Sequence, residues 1–254
     1  MKMPTALSLL LLIAVPAVAQ EAPLDPALDR KRYDGCVRSI ESAAATAETY
    51  AREWAARGGG LPARHCLALA QLRQDKFAEA EATLVAAAGE AAAAKSPFAA
   101  DFWGQAGNAA LLAGRAEPAI AHFTAAIASA GEFAPRRLAA FHLDRARAEA
   151  ELGRLSEARA DLDRALELDR EEPQAWMLSA ALARRAGDLG QAVRDIERAS
   201  TLAPSDPDIM FEQGNIAAAN GDLESARRVW TMVTKAAPGT PAADLAARAL
   251  ADRP

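Results

Sequence analysis

The chain has 254 residues, with 34 acidic residues against 29 basic ones and a formal charge of −5. That balance excludes a nucleic-acid binder, which needs a basic footprint, and no run of Lys and Arg points to an anionic membrane surface. Aromatic residues are scarce, at 5%, while alanine abounds, a composition suited to helices packed at close range.

In chain order, Met1-Lys2-Met3 precedes an apolar stretch from Ala6 to Val15, then Pro16 and Ala17-Val18-Ala19. One positive charge, a short apolar core and an A-x-A site read as a secretory signal peptide over 1–19, cut after Ala19. An uncleaved anchor is the alternative, but the run is shorter than the ~20 residues that span a bilayer. No Cys adjoins the cut, which argues against a lipoprotein. The mature chain is therefore expected in the periplasm or outside the cell, without an integral membrane segment. Residues 20–31, rich in Pro and charge, predict a disordered linker. From Tyr33, apolar residues at spacings of three and four (Cys36, Val37, Ile40, then Ala44, Ala47, Ala51, Trp54) predict two helices. Broken near Glu41-Ser42 and ended by Gly58-Gly59-Gly60, they form a degenerate hairpin over 32–60.

Beyond residue 60 a pattern recurs every 34 residues. Trp176, Ala180, Gly187, Ala192, Ile196, Ala199 and Pro204 are followed one period later by Met210, Gly214, Gly221, Ala226, Trp230, Val233 and Pro238. One period earlier stand His142, Ala146, Gly153, Ala158, Leu162, Ala165 and Arg170. Two earlier copies fit after five extra residues at each junction: Trp103, Gly107, Gly114, Ala119, Phe123, Ala126 and, more weakly, Ala68, Asp75, Ala80, Leu84, Ala87. Such a period implies stacked helical hairpins, because one hairpin cannot bury its own apolar face. Gly187 and Gly221 suit a left-handed helix end, Asp188 and Asp222 suit N-caps, and Pro204 and Pro238 stop second helices. Ser96 and Pro97 read as the cap and first residue of a helix. Thr240-Pro241 starts a capping helix over 241–254, with Leu245 and Leu250 inward and Asp244, Arg248 and Asp252 outward.

These slots resemble the tetratricopeptide repeat (TPR) family: aromatic at position 4, small at 8 and 20, Gly near 15, bulky at 24, Ala at 27, Pro at 32. The resemblance covers 61–240 in five copies (61–94, 100–133, 139–172, 173–206, 207–240) and implies an all-α solenoid of antiparallel hairpins. It also implies a concave face lined by the first helices, holding Gln105, Asn108, Asp144, Arg147, Gln174, Met177, Arg184, Phe211, Glu212 and Asn215. Asn108 and Asn215 share position 9, where an amide can bond an extended peptide, and Arg147 and Arg184 would draw an acidic partner. Solvation of an exposed helix face is the plainer reading of each residue alone. The carboxylate clamp of chaperone adaptors is not assembled, because position 5 holds His65, Gly104, Leu143, Met177 and Phe211 and no lysine.

Cys36 and Cys66 are the only cysteines, and in an exported chain an even count favours a disulfide over two free thiols. Its loop would contribute about 3–4 kcal/mol. With His65 adjoining, the set still falls short of the four ligands of a structural zinc, so no metal or other cofactor is expected. His122 and His142 read as packing or surface residues. Gly58-Gly59-Gly60 lacks the strand and Lys-Ser/Thr of a phosphate loop, and no catalytic constellation is present. The function expected is an exported protein or peptide-binding scaffold. The alternatives are a structural subunit of an envelope complex and, third, an enzyme accessory.

Overall fold

A computed structural model describes residues 26–131 and 134–252. The leader, its cut after Ala19 and linker residues 20–25 lie outside the described residues. Among these, twelve helices and no strand are present, so the chain is all-α. None of these helices is long and apolar enough to cross a membrane.

Helix α1 (Pro26–Ala56) begins six residues before the end of the expected linker. Its first turn suits a helix start, with Asp29 near the positive end and Arg32 paired to it at 3.3 Å. The break comes at Ala43 (φ −151°, ψ 54°). Eleven residues separate Cys36 from Ala47, about 16 Å along a straight helix, yet Cys36 Sγ lies 3.9 Å from the Ala47 carbonyl. The two halves of α1 therefore fold back on each other as a hairpin. A disulfide joins Cys36 to Cys66, with Cα atoms 6.3 Å apart, and pins this hairpin to α2.

Five further hairpins follow: α2 (Gly60–Leu72) with α3 (Phe77–Ala93), α4 (Ala99–Leu112) with α5 (Ala116–Ser129), and α6 (Pro135–Glu151) with α7 (Leu155–Leu168). Then come α8 (Pro173–Ala186) with α9 (Leu189–Leu202) and α10 (Pro207–Ala219) with α11 (Leu223–Ala236), capped by α12 (Pro241–Asp252). The extra residues at the two junctions lengthen helices: α3 and α6 have 17 residues where α5, α7, α9 and α11 have 14. At the first junction Lys95 takes a left-handed φ of 52°. Ser96 Oγ accepts from the Phe98 N–H at 3.3 Å, so the helix starts at Ala99, two residues later than the Ser96-Pro97 signal suggested.

Each hairpin turns the same way. Position 15 is left-handed five times, at Asp75 (φ 57°), Gly114 (70°), Gly153 (74°), Gly187 (82°) and Gly221 (85°). The next N–H then reaches back to the position-11 carbonyl: Lys76 to Gln71, Arg115 to Ala110, Arg154 to Glu149, Asp188 to Ala183 and Asp222 to Ala217, all within 2.8–3.0 Å. Asp188 and Asp222 also cap α9 and α11 through the N–H groups of Gln191 and Ser225, both at 2.9 Å.

Where helices of one hairpin cross, sizes are matched. Phe123 and Trp230 at position 24 face Gly107 and Gly214 at position 8; Leu84, Leu162 and Ile196 face Ala68, Ala146 and Ala180. A Cβ on Gly107 would lie 2.5 Å from Phe123, and one on Gly214 2.6 Å from Trp230 Cδ1. At the C-terminal end the inward face of α12 differs from the sequence reading. Ala242, Ala243 and Ala246 are buried, Ala249 and Leu250 pack beside them, and Leu245 is exposed. The small residues let α12 lie close over Trp230 and Val233, which turns Leu245 to solvent.

Candidate functional site: the face of the first helices

Successive first helices touch: α4 meets α6, α6 meets α8, α8 meets α10 and α10 meets α12. Among the described residues no second helices approach each other to a like extent. The first helices are therefore the more closely packed layer of the stack.

At its N-terminal end, Gln105 Oε1 lies 2.9 Å from His65 Nε2, and the Tyr33 hydroxyl lies 2.8 Å from His65 Nδ1. A neutral imidazole that accepts from the phenol and donates to the amide fits both contacts. Burial lowers the His65 pKa, with Gln105 and Asp101 opposing. The ring stacks on Tyr33 and meets Phe102 edge-on. This bridge joins α1, α2 and α4; the sequence reading placed His65 in an inward slot but gave it no partner.

In the middle, Arg147 Nη1 donates to Asp144 at 2.8 Å. Burial raises the pKa of Asp144, Arg147 and Asn108 hold it down, and Glu172 adds to the rise. Asp208 is likewise raised by burial and by Asp206, with Arg147 opposing. Glu172 and Asp206 also cap α8 and α10, accepting from Gln174 N–H at 3.1 Å and Asp208 N–H at 2.9 Å. Gln174 Nε2 donates to Asp206 at 2.9 Å. Further along, Arg184 donates through Nε to Glu212 at 2.7 Å, and Asn215 Nδ2 donates to the same carboxylate at 3.0 Å. Met177 and Phe211 are partly buried, each leaning on a neighbouring core.

The inward residues thus fall into three connected groups, and only Asn108 among them is exposed. Both arginines expected to attract an acidic partner are committed: Arg147 to Asp144, and Arg184 to Glu212, which is 7% exposed. With Glu172, Asp206 and Asp208 beside them, carboxylates dominate this stretch. Arg184 also serves the fold, because removing it would leave a buried carboxylate without its cation.

Behind this face lie two polar clusters that contain His122 and His142, which the sequence suggests as packing or surface residues. Glu81 is buried between Arg115 (2.7 Å) and His122 (3.0 Å), and His122 stacks on Trp103. Asp161 is held by His142 Nδ1 at 2.8 Å and by Arg145 at 2.6 and 2.7 Å. Among the described residues, no group of three or more His, Cys, Asp or Glu is arranged to hold a metal.

The sequence model described as Tetratricopeptide repeat matches residues 143–207 and 179–241, the stretch from α6 through α11 into α12. No curated protein matches the chain significantly. Among solved structures, PilF of Pseudomonas aeruginosa is similar with a TM-score of 0.65 at 14% identity, over 87% of this chain and 98% of that one. PilW, a widely conserved type IV pilus biogenesis factor, gives 0.68 at 17% over 86% and 97%. YrrB, a TPR protein with an unusual peptide-binding site, gives 0.50 at 18% over 73% and 91%. At these identities the likeness is one of fold.

Proposed function

Because this chain is a tetratricopeptide-repeat protein, we propose that it is an exported, non-enzymatic scaffold that holds an extended protein segment on its concave face. The observation that carries the proposal is the row of pre-ordered polar groups along the first helices, Asn108–Asp144–Arg147 and Arg184–Glu212–Asn215, interrupted by the part-exposed Met177 and Phe211. Groups fixed in advance lose little conformational freedom when a segment binds. An amide at Asn108 or Asn215 can pair with a partner's backbone, and the thioether and ring can take an apolar side chain. The surplus of carboxylates favours a segment with basic residues over an acidic one. Export is supported by the leader-like residues 1–19 and by the Cys36–Cys66 bond, which persists in oxidising compartments.

Two measurements test this. The intact mass of the chain from an envelope fraction should correspond to an N-terminus at Gln20 and change by two protons on reduction. A full-length cytoplasmic species with free thiols would remove the export half. For binding, Asn108→Ala combined with Arg147→Ala should lower retention of envelope partners while circular dichroism stays unchanged. Equal retention by the folded variant would remove the concave-face half.

A further inference from the structure

Position 11 of a first helix faces position 23 of the second helix in the same hairpin. In α2–α3 these are Gln71 and Thr83, and the Thr83 hydroxyl donates to Gln71 Oε1 at 2.8 Å. In α6–α7 the same two places hold Glu149 and Asp161, two carboxylates that are 8% and 6% exposed. Asp161 is well supplied, by two nitrogens of Arg145 and by His142. Glu149 Oε2 is buried without a hydrogen-bond partner.

Every cation nearby is engaged elsewhere. Arg145, on the same helix, is clasped to Asp161 and gives its remaining nitrogen to Thr124 of α5 at 3.0 Å. Arg154, in the turn, donates to Glu117 of α5 at 2.9 Å. Arg185 of α8 donates to the Ala150 carbonyl at 3.2 Å. From α7, Glu157 adds another negative charge beside Asp161. A carboxyl in this setting holds its proton more tightly than an exposed one, because ionisation would place an uncompensated charge in the core next to two others.

We propose that the α6–α7 hairpin is a pH-sensitive element, closed while Glu149 is protonated and loosened once that proton is lost. Burial first, then Asp161, pushes the Glu149 carboxyl up to about 7 from an ordinary 4.5, with Arg145 opposing only in part. The folded value lies above the unfolded one, so the stabilisation is fully present below the unfolded value and is lost as pH rises through about 7. Helix α6 also carries Asp144 and Arg147 on its inner side. If the concave-face reading holds, the same proton would tune binding there, but the opening of the hairpin does not depend on that reading.

Amide hydrogen exchange of the full mature chain at about pH 5.5 and about pH 8.5, corrected for the intrinsic rate, tests the proposal. Protection in α6 and α7 should fall by up to about 30-fold more than in α2–α3. In Glu149→Gln, which puts at this position the amide that Gln71 carries in α2, that excess should vanish. An excess of equal size in the variant, or none in the wild type, overturns the proposal. Should the variant fail to fold, the 13C titration of the wild-type Glu149 carboxyl decides. A midpoint near the ordinary 4.5 overturns the proposal, and one near neutrality supports it.

Discussion

At the scale of single residues, the crossing of the two helices in each hairpin is governed by paired sizes. Phe123 and Trp230 fill the crossing so fully that only a hydrogen fits opposite, at Gly107 and Gly214, whereas Leu84, Leu162 and Ile196 leave room for a methyl group. Both rings are buried, so they cannot swing aside. Gly107→Ala should therefore cost about 1–3 kcal/mol through overpacking, against the gain that alanine normally brings inside a helix. Phe123→Leu in the same background should recover part of that loss, because the pair then matches Ala146 with Leu162. Denaturant unfolding of the two single variants and the double variant checks this. Strictly additive effects would mean that the two positions do not compete for the same space.

At the scale of elements, the way hairpins are tied together changes along the stack. In α8–α9 and α10–α11 position 16 is Asp, spent on capping its own second helix. In the three earlier hairpins it is basic, and Lys76, Arg115 and Arg154 reach back instead to Glu48, Glu81 and Glu117 of the preceding unit. Glu48 and Glu81 are buried, while Glu117 is exposed, so the third of these ties contributes least. The hydrogen bond from Lys76 holds the Glu48 pKa below its ordinary 4.5; burial works against it, and Gln74 and Arg52 assist. A depressed folded value gives stabilisation that is present above the unfolded pKa and lost as pH falls through the folded one. Below about pH 4.5 the second half of α1 should thus loosen ahead of the rest, still tethered by Cys36–Cys66. Glu48→Gln should remove that acid dependence. Hydrogen exchange across α1 is the readout, and an unchanged acid response in the variant would contradict the account.

Elements also show how much could be read without coordinates. The period, the left-handed turns at Gly187 and Gly221, the caps at Asp188 and Asp222 and the helix start at Pro241 all follow from local rules that act within a few residues, whereas the left-handed Asp75 does not. The Arg184–Glu212, Arg115–Glu81, Arg154–Glu117 and His122–Glu81 contacts link residues 28, 34, 37 and 41 apart. Those separations have meaning only once the rotation between hairpins is fixed, and a helical reading that seeks partners three or four residues away cannot find them. The same blindness made Arg184 look available on the inner face. On α12 the alanines are buried and Leu245 is exposed, because close approach, not bulk, decides burial there. The linker assigned through residue 31 reflected its Pro and charge content, although Pro26 and Asp29 also fit a first helical turn.

At the scale of the whole molecule, each hairpin leans only on its neighbours, so damage should stay local. Ala192, fully buried where α9 crosses α8, should on replacement by Leu loosen α6 through α11 and leave the disulfide-pinned end protected. Exchange lost evenly along the chain would argue for one cooperative block. The first helices carry three polar groups between the His65 bridge and Asn215, and the proposed function rests on their lying along one face. Site-specific photo-crosslinking in the native envelope tests it most directly, with the reactive group placed in turn at Asn108 and Asn215 on the first helices and at Thr124, Ala160 and Arg194 on the exposed sides of the second. The account predicts one and the same partner adduct from both inner positions and none from the outer three. Adducts from the outer positions alone would move the binding surface to the convex side and contradict it.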